Sequence, residues 1–236
     1  MSTYARLAGV LFLVSVVVGG FGEGLAPAQL IASGDAATTV HNLVASNGLF
    51  RAGFAAYLVE ALCDVALTVI LFLLLRPLDR SLALFAVLFR VMATATYAFA
   101  ELFYFVPSLL VSDDAYLRSF TADQVNALVL LSFKVFAVGG SMSLVFYGVG
   151  SVIVGYLIFR SGYVPGLIGL LWVLGGLSFV ISTFTFVLAP TYSPAILEGP
   201  MIVAILSLAL WWLLRGVDES AIQRKALSFA QSAERG

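Results

Sequence analysis

The sequence predicts an all-α fold, a polytopic membrane helix bundle with six transmembrane helices and both termini in the cytoplasm. Hydrophobic residues make up 61% of the 236 residues and charged residues only 11%, whereas a soluble domain is roughly 45–50% apolar and about 25% charged. Six apolar segments approach the roughly 20 residues that a helix needs to cross hydrocarbon. Basic residues collect at alternate ends of these segments, which is the pattern of multi-pass membrane proteins.

The composition also excludes several classes of function. A net charge of −1 gives no reason to expect nucleic-acid binding. His41 is the one histidine, which excludes metal sites that need several imidazoles. We find no serine nucleophile motif. We also find no phosphate-cradling glycine motif, because Gly148-Val149-Gly150 lies inside a membrane helix. We therefore expect neither a cofactor nor a metal.

The first segment, about residues 5–25, predicts a transmembrane helix. The connection that follows, about residues 26–48, contains no basic residue. Within it, the stretch Ala36–Ala45 predicts a short helix on the outer surface.

The second segment covers about residues 49–75 and ends at Arg76-Pro77. The third covers about 82–106 and ends at Pro107, because proline cannot donate the backbone hydrogen bond that a continuing helix requires. The short connection between them predicts antiparallel neighbours.

The fourth segment, about residues 123–159, is longer than a bilayer requires. Its 37 residues extend for about 55 Å at 1.5 Å per residue. We expect its first turns to project beyond the membrane, with Thr121 or Asp123 as the N-cap. A break at Gly139-Gly140 is the alternative.

The fifth segment covers about residues 164–188 and the sixth about 196–215. Together the six predict one transmembrane domain over residues 1–216. The remainder, 217–236, mixes apolar and charged residues, which predicts an amphipathic cytoplasmic tail.

The distribution of basic residues predicts the orientation. One side of the predicted bundle carries Arg6, Arg76, Arg80, Arg160, Arg215, Arg224, Lys225 and Arg235. The opposite side carries Arg118, with Arg51 at a helix mouth. Both termini are therefore expected in the cytoplasm, which requires an even number of spans.

Small residues recur at helical spacing in three places. Gly20 and Gly24, and likewise Gly162 and Gly166, have the four-residue spacing that lets helix backbones approach closely. A third stripe of small residues, Gly148, Ser151 and Gly155, lies on the fourth segment. These positions predict close packing within one chain, and a homodimer through them is the alternative.

Charged side chains inside apolar segments are the best pointer to function, because an ionised group in hydrocarbon needs a partner or a wet cavity. Glu60 and Asp64 share one face of the second segment at i and i+4. Arg90 and Glu101 share a face of the third segment, about 16 Å apart along its axis. Matching depths across antiparallel neighbours predicts an Asp64–Arg90 pair.

The same matching places Glu101 near the outer mouth, where Arg51 or Lys134 is its expected partner. Glu60 then lies near the midplane, where it could be neutral or exchange a proton. If transport is coupled to protons, Glu60 is the carboxyl group that we expect to carry the proton.

The candidate ligand or ion-pair network is therefore Arg51, Glu60, Asp64, Arg90, Glu101 and Lys134. It either lines a cavity that binds a molecule or consists of fixed ion pairs that lock helices together. Aromatic residues on the third and fourth segments, among them Tyr97, Tyr104, Phe133 and Phe136, either line an apolar pocket or belong to the core.

Three functions remain open. The leading hypothesis is an integral membrane protein that binds or transports a small hydrophobic or amphipathic molecule, with membrane lipid as its surroundings. The second is an intramembrane enzyme that acts on a lipid-like substrate through Glu60 and Asp64. The third is a non-catalytic membrane scaffold with structural ion pairs.

Several short stretches resemble the bacterial DUF4386 family. They are Tyr4-Ala5-Arg6-Leu7-Ala8-Gly9-Val10-Leu11-Phe12-Leu13, Arg51 followed by Glu60, Arg76-Pro77-Leu78, Phe89-Arg90, and Phe159-Arg160-Ser161 with Val164-Pro165. The resemblance extends to about Arg215. It implies a six-helix protein of the bacterial inner membrane with unassigned activity. The family often has Glu soon after the arginine of helix three, which Arg90-Val91-Met92-Ala93 lacks.

Overall fold

The computed structural model describes residues 1–112, 114–189 and 199–217, and every regular element in these ranges is helical. The elements are α1 (Ser2–Gly19), a π-helical turn (Gly20–Leu25), α2 (Ala26–Leu30), α3 (Ala36–Ala45), α4 (Asn47–Leu75), α5 (Arg80–Leu110), a 3₁₀ turn (Ala115–Ser119), α6 (Ala122–Ser161), α7 (Gly166–Leu188) and α8 (Gly199–Leu214). The predicted all-α class is confirmed. The predicted tail beyond Val217 and the predicted start of the sixth segment near Ala195 lie outside the described residues.

Helix α1 continues without leaving helical geometry through the π-helical turn into α2. Gly19 and Ala26, which flank the turn, both have right-handed helical dihedrals. Pro27 occupies the first turn of α2, directly after the π-helical turn. The prediction that this helix ends at Leu25 is therefore wrong by five residues.

The predicted short helix over Ala36–Ala45 is confirmed as α3. Asp35 is its N-cap, because its carboxylate accepts a hydrogen bond from the Thr38 amide at 2.9 Å. This bond satisfies one of the amides that a helix leaves unpaired at its start.

The prediction that Pro107 ends the third segment is wrong, because α5 includes Pro107 and continues to Leu110. The proline lies one turn from the helix end, so a single backbone hydrogen bond is lost. Helix α6 is unbroken through Gly139 and Gly140 over its 40 residues, about 60 Å in length. The predicted alternative of a break is therefore wrong, and projection beyond a bilayer is the remaining expectation.

Five helical runs are long and apolar enough to cross a membrane: Ser2–Leu30, Asn47–Leu75, Arg80–Leu110, Ala122–Ser161 and Gly166–Leu188. Helix α8 is also apolar but has only 16 residues, about 24 Å. These lengths and compositions are those of a multi-span membrane protein.

The chain forms two compact units. Unit 1 contains residues 1–14, 63–94 and 141 onward. Its apolar core contains Phe12, Trp172 and Trp212, with the ring centroids of Phe12 and Trp172 5.7 Å apart. The indole of Trp172 donates a hydrogen bond to the Ala204 carbonyl at 3.0 Å, which ties α7 to α8.

Within unit 1, the predicted small-residue stripe on α6 lies against α7. A Cβ atom built on Gly148 would lie 2.5 Å from the Gly176 carbonyl oxygen, and one on Gly155 would lie 2.7 Å from that of Gly169. Only glycine fits at such an approach. By contrast, Gly20 and Gly24 have no neighbouring atom within 4 Å of a built Cβ, so close packing within the described chain is wrong for that pair.

Unit 2 contains residues 15–62 and 95–140. Its core is rich in aromatic residues: Phe50, Tyr57, Tyr104 and Phe133 are buried with Leu30, Leu43 and Val129. The rings of Tyr57 and Tyr104 meet edge to face with centroids 5.0 Å apart, a favourable arrangement for aromatic pairs.

Candidate functional site

The predicted Asp64–Arg90 ion pair is present in unit 1. A guanidinium nitrogen of Arg90 lies 3.0 Å from Asp64 Oδ1, and Arg90 is only 1% exposed. The Arg90 Nε atom donates to the Thr68 hydroxyl at 3.2 Å. The guanidinium also lies over the Tyr147 ring, 4.7 Å from its centroid, which adds a cation–π contact.

Two neighbouring hydroxyls donate hydrogen bonds to Asp64. The hydroxyl of Thr94 donates to Asp64 Oδ2 at 3.4 Å, and that of Thr68 donates to the Asp64 backbone carbonyl at 2.8 Å. Such a hydrogen-bonded pair, in which Arg90 is buried and Asp64 is 20% exposed, fixes α4 against α5 within unit 1. The arrangement is that of a structural lock more than of a binding site.

The predicted partners of Glu101 are wrong within the described residues. Arg51 is exposed, and its Nε donates to Asn47 Oδ1, one turn earlier on the same helix, at 2.8 Å. Lys134 lies on the exposed face of α6, beside Leu131 and Val135. Neither side chain forms an ion pair with Glu101 among the described residues.

Glu101 instead belongs to a cluster of carboxyl groups and tyrosines in unit 2. We call this the Glu–Tyr cluster; its members are Glu23, Tyr57, Glu60, Tyr97, Glu101 and Tyr104. The groups that act electrostatically on the Tyr57 hydroxyl are Glu23, Tyr104, Glu101 and Glu60. Glu23 also acts on both Tyr97 and Glu101.

Burial differs across the Glu–Tyr cluster. Glu101 is 3% exposed, and Tyr57 and Tyr104 are fully buried. Within the described residues, Glu101 Oε1 and the hydroxyls of Tyr57 and Tyr104 have no hydrogen-bond partner. Glu23 is exposed, and its Oε1 accepts a hydrogen bond of 2.6 Å from the Tyr97 hydroxyl. The cluster thus extends from an exposed carboxylate to a buried one.

Two glycines leave space for the Glu–Tyr cluster. A Cβ atom built on Gly19 would lie 2.9 Å from both carboxylate oxygens of Glu60, and one on Gly53 would lie 3.0 Å from the Tyr104 hydroxyl. The π-helical turn that begins at Gly20 carries Glu23. Such turns occur frequently at functional sites.

Sequence reasoning missed Tyr57 and did not include Glu23 among the candidate site residues. A signal for the tyrosines was present, because Tyr57 and Glu60 are three residues apart on one helix. Tyr97, Glu101 and Tyr104 likewise follow at spacings of four and three, which place them on one helix face. Nothing in the local sequence indicates the π-helical turn that carries Glu23.

Among the described residues, no group of three or more His, Cys, Asp or Glu side chains could hold a metal ion. An open groove of about 400 Å³ lies elsewhere in unit 2, between α3 and the first turns of α6. Lys134 and Asp123 line it. The structure thus places Lys134 at this groove and away from Glu101.

The apolar helices, together with buried charges in both units, define a multi-span membrane protein. A comparison with protein families makes the assignment narrower. The chain belongs to the DUF4386 family, described as a domain of unknown function, whose profile matches residues 7–216. The resemblance found in the sequence is therefore confirmed. No curated protein and no solved structure matches the chain significantly.

Proposed function

We propose that this protein is a six-span inner-membrane protein, with both termini cytoplasmic, that binds a small amphipathic molecule at the Glu–Tyr cluster. The molecule carries a positive charge beside an apolar body. Transport of this molecule, with Glu60 as a proton carrier, is the extended form of the proposal. The orientation follows from the basic residues alone.

One observation carries the proposal: three buried polar atoms of one cluster lack hydrogen-bond partners within the described residues. They are Glu101 Oε1 and the hydroxyls of Tyr57 and Tyr104. Buried polar groups are nearly always hydrogen-bonded, so each exception calls for an explanation. A ligand that donates hydrogen bonds would satisfy the Glu101 carboxylate and the tyrosine oxygens together.

The charge of the cluster favours a cation as that ligand. In the described part of the chain, the groups that act on Tyr57, Tyr97 and Glu101 are carboxyls and tyrosines, with no lysine or arginine among them. Several carboxyl groups in a low-dielectric site cannot all be ionised unless positive charge or protons accompany them. A bound ammonium would supply that charge and would donate hydrogen bonds as well.

The aromatic surroundings favour an apolar body on the same ligand. The rings of Tyr57 and Tyr104 have centroids 5.6 Å and 5.3 Å from that of Phe136. Faces of tyrosine and phenylalanine attract cations as well as apolar groups. Carboxylate and aromatic side chains together are the chemistry that recognises lipophilic cations.

The test uses 2-phenylethylammonium as the probe, with neutral 2-phenylethanol as its matched control, because both compounds donate hydrogen bonds and only the first is charged. Binding to the purified full-length protein is measured by isothermal titration calorimetry. We expect the cation to bind more tightly than the neutral compound, and Glu101→Gln to weaken cation binding about tenfold. Asp114→Asn, which changes an exposed carboxylate of the same unit, leaves binding unchanged.

Equal binding of cation and neutral probe would contradict the proposal, as would full affinity in Glu101→Gln. Glu60→Gln tests the proton-linked form separately. We expect it to flatten the pH dependence of binding. An unchanged pH dependence would remove Glu60 from the mechanism.

A scaffold is the second candidate, favoured by the Asp64–Arg90 pair and by the glycine contacts between α6 and α7. It predicts that no probe binds and that a second chain copurifies. No observation favours the enzyme that uses Glu60 with Asp64, since Asp64 is held by Arg90 and Thr94.

A further inference from the structure

The open groove of unit 2 combines an apolar floor with one charge of each sign. It lies between the first turn of α3 and the first turns of α6, and its volume is about 400 Å³. Apolar lining comes from Ala36, Ala127 and Leu130, and the charged lining residues are Asp123 and Lys134. Eleven residues of α6 separate the two charges, about 16 Å along the helix axis.

The length of α6 relates Lys134 to the depth of a bilayer. Arg160 lies in the last turn of α6, and 26 residues separate it from Lys134. That separation corresponds to about 39 Å, close to the roughly 40–45 Å of a bilayer with its headgroup regions. If Arg160 lies at one interface, as the proposed orientation places it, Lys134 lies in the headgroup layer of the other.

The surroundings of Lys134 fit that level. Its neighbours Leu131, Val135 and Val138 are exposed by 54%, 37% and 43%, which is typical of a lipid-facing helix surface. The residues from Ala122 to Gln124 are exposed and include charged and polar side chains. The apolar surface thus gives way to a polar one along the groove, as it does across a headgroup layer.

The direction of the lysine side chain brings the two charges closer. Side chains in an α-helix tilt toward its N-terminus, which for Lys134 is the direction of Asp123. A lysine near the end of a membrane span also extends its ammonium toward the headgroups. Its flexible stem therefore shortens the gap between the two charges, and a phosphate–amine unit with its two ion-pair contacts would span what remains.

We propose that this groove binds the zwitterionic headgroup of a phospholipid that carries a primary amine, such as phosphatidylethanolamine. The phosphate pairs with the Lys134 ammonium, and the amine pairs with the Asp123 carboxylate. Ala127 and Leu130 contact the carbons between the two charges. An anionic headgroup without an amine satisfies Lys134 but leaves Asp123 facing a glycerol or a phosphate.

The test is native mass spectrometry of the full-length protein, released from detergent in the presence of phosphatidylethanolamine or phosphatidylglycerol with identical acyl chains. We expect the unchanged protein to retain more phosphatidylethanolamine. Lys134→Ala lowers that retention about fivefold, the upper end for one solvent-exposed ion pair, and Lys134→Arg preserves it. Asp123→Asn removes the preference between the two lipids.

Arg118→Ala is the matched control, because Arg118 is an exposed base of the same unit that does not line the groove. It leaves both lipids unaffected. Equal retention of the two lipids by the unchanged protein would overturn the proposal, as would equal retention in Lys134→Ala. Displacement of the lipid by millimolar inorganic phosphate would also overturn it, because the site would then recognise phosphate alone.

Discussion

Removing Asp64 tests whether the Asp64–Arg90 pair locks unit 1. The Asp64→Ala change leaves the Arg90 guanidinium, which is 1% exposed, without its counter-ion. Removing one member of a buried pair costs roughly 3–5 kcal/mol, because an uncompensated charge remains. The Thr68 hydrogen bond of 3.2 Å and the Tyr147 ring remain in place, so we expect the low end, about 3 kcal/mol.

The expected loss corresponds to a factor of about 150 in the unfolding equilibrium, since 1.4 kcal/mol is tenfold. The assay is unfolding of the purified protein followed by tryptophan fluorescence. Trp172 and Trp212 are buried in the core of unit 1, so their emission reports the unit that contains the pair.

A double variant separates a lost lock from a general loss of packing. Asp64→Leu with Arg90→Met replaces the pair by apolar side chains of similar length, which is often neutral or stabilising. We therefore expect the double variant to be more stable than Asp64→Ala. If Asp64→Ala alone unfolds like the unchanged protein, the pair does not hold unit 1 together and the reasoning is refuted.

Three further predictions follow from local geometry. Gly148→Ala should destabilise the protein by about 1–3 kcal/mol in the same unfolding assay, because its methyl group would meet a carbonyl oxygen 2.5 Å away in a packed interior. Gly20→Ala is the control and should have no such effect, because no neighbouring atom lies within 4 Å of its methyl group. Hydrogen bonds from the Thr38 amide and hydroxyl hold the pKa of Asp35 below its ordinary value of 3.8. The Asp35 cap therefore stabilises α3 fully above pH 3.8, and this stabilisation is lost as the pH falls through the lowered pKa. Hydrogen exchange over residues 36–45 should rise as the pH falls through that range, and an Asp35→Asn variant should show no such rise. Cysteine labelling tests the proposed orientation in a Cys63→Ala background, which lacks the native thiol. A membrane-impermeant maleimide should label Ser33→Cys in intact cells and Ser81→Cys only in permeabilised cells. The reverse labelling pattern would invert the proposed orientation.

The sequence was sufficient where a prediction depended on periodicity and depth. Depth matching between antiparallel helices predicted the Asp64–Arg90 pair, because both residues lie inside long, uninterrupted helices whose ends the sequence marks. The apolar runs predicted the five long helices for the same reason, and the stretch Ala36–Ala45 predicted α3.

The predicted partners of Glu101 were wrong, because they depended on how each helix is rotated about its own axis. The sequence matched Glu101 with Arg51 by expected depth alone, but whether two side chains face each other also depends on how each helix turns about its axis. Residues far apart in the sequence decide that rotation. The π-helical turn adds a further change at Gly20–Leu25, and it carries Glu23 to the hydroxyl of Tyr97 in unit 2.

Lys134 illustrates a third difficulty. A lysine inside an apolar segment suggests a buried partner, but a position three turns from a helix start can equally lie in the headgroup layer. The excess length of α6, which starts at Ala122, favours the headgroup layer.

The most direct test of the account is an experimental map of the protein in lipid nanodiscs, prepared with and without 2-phenylethylammonium. We expect added density within hydrogen-bonding or ion-pairing distance of the Glu101 carboxylate and beside the rings of Tyr57 and Tyr104. A map in which protein side chains close over Glu101, with no change on adding the cation, would contradict the account.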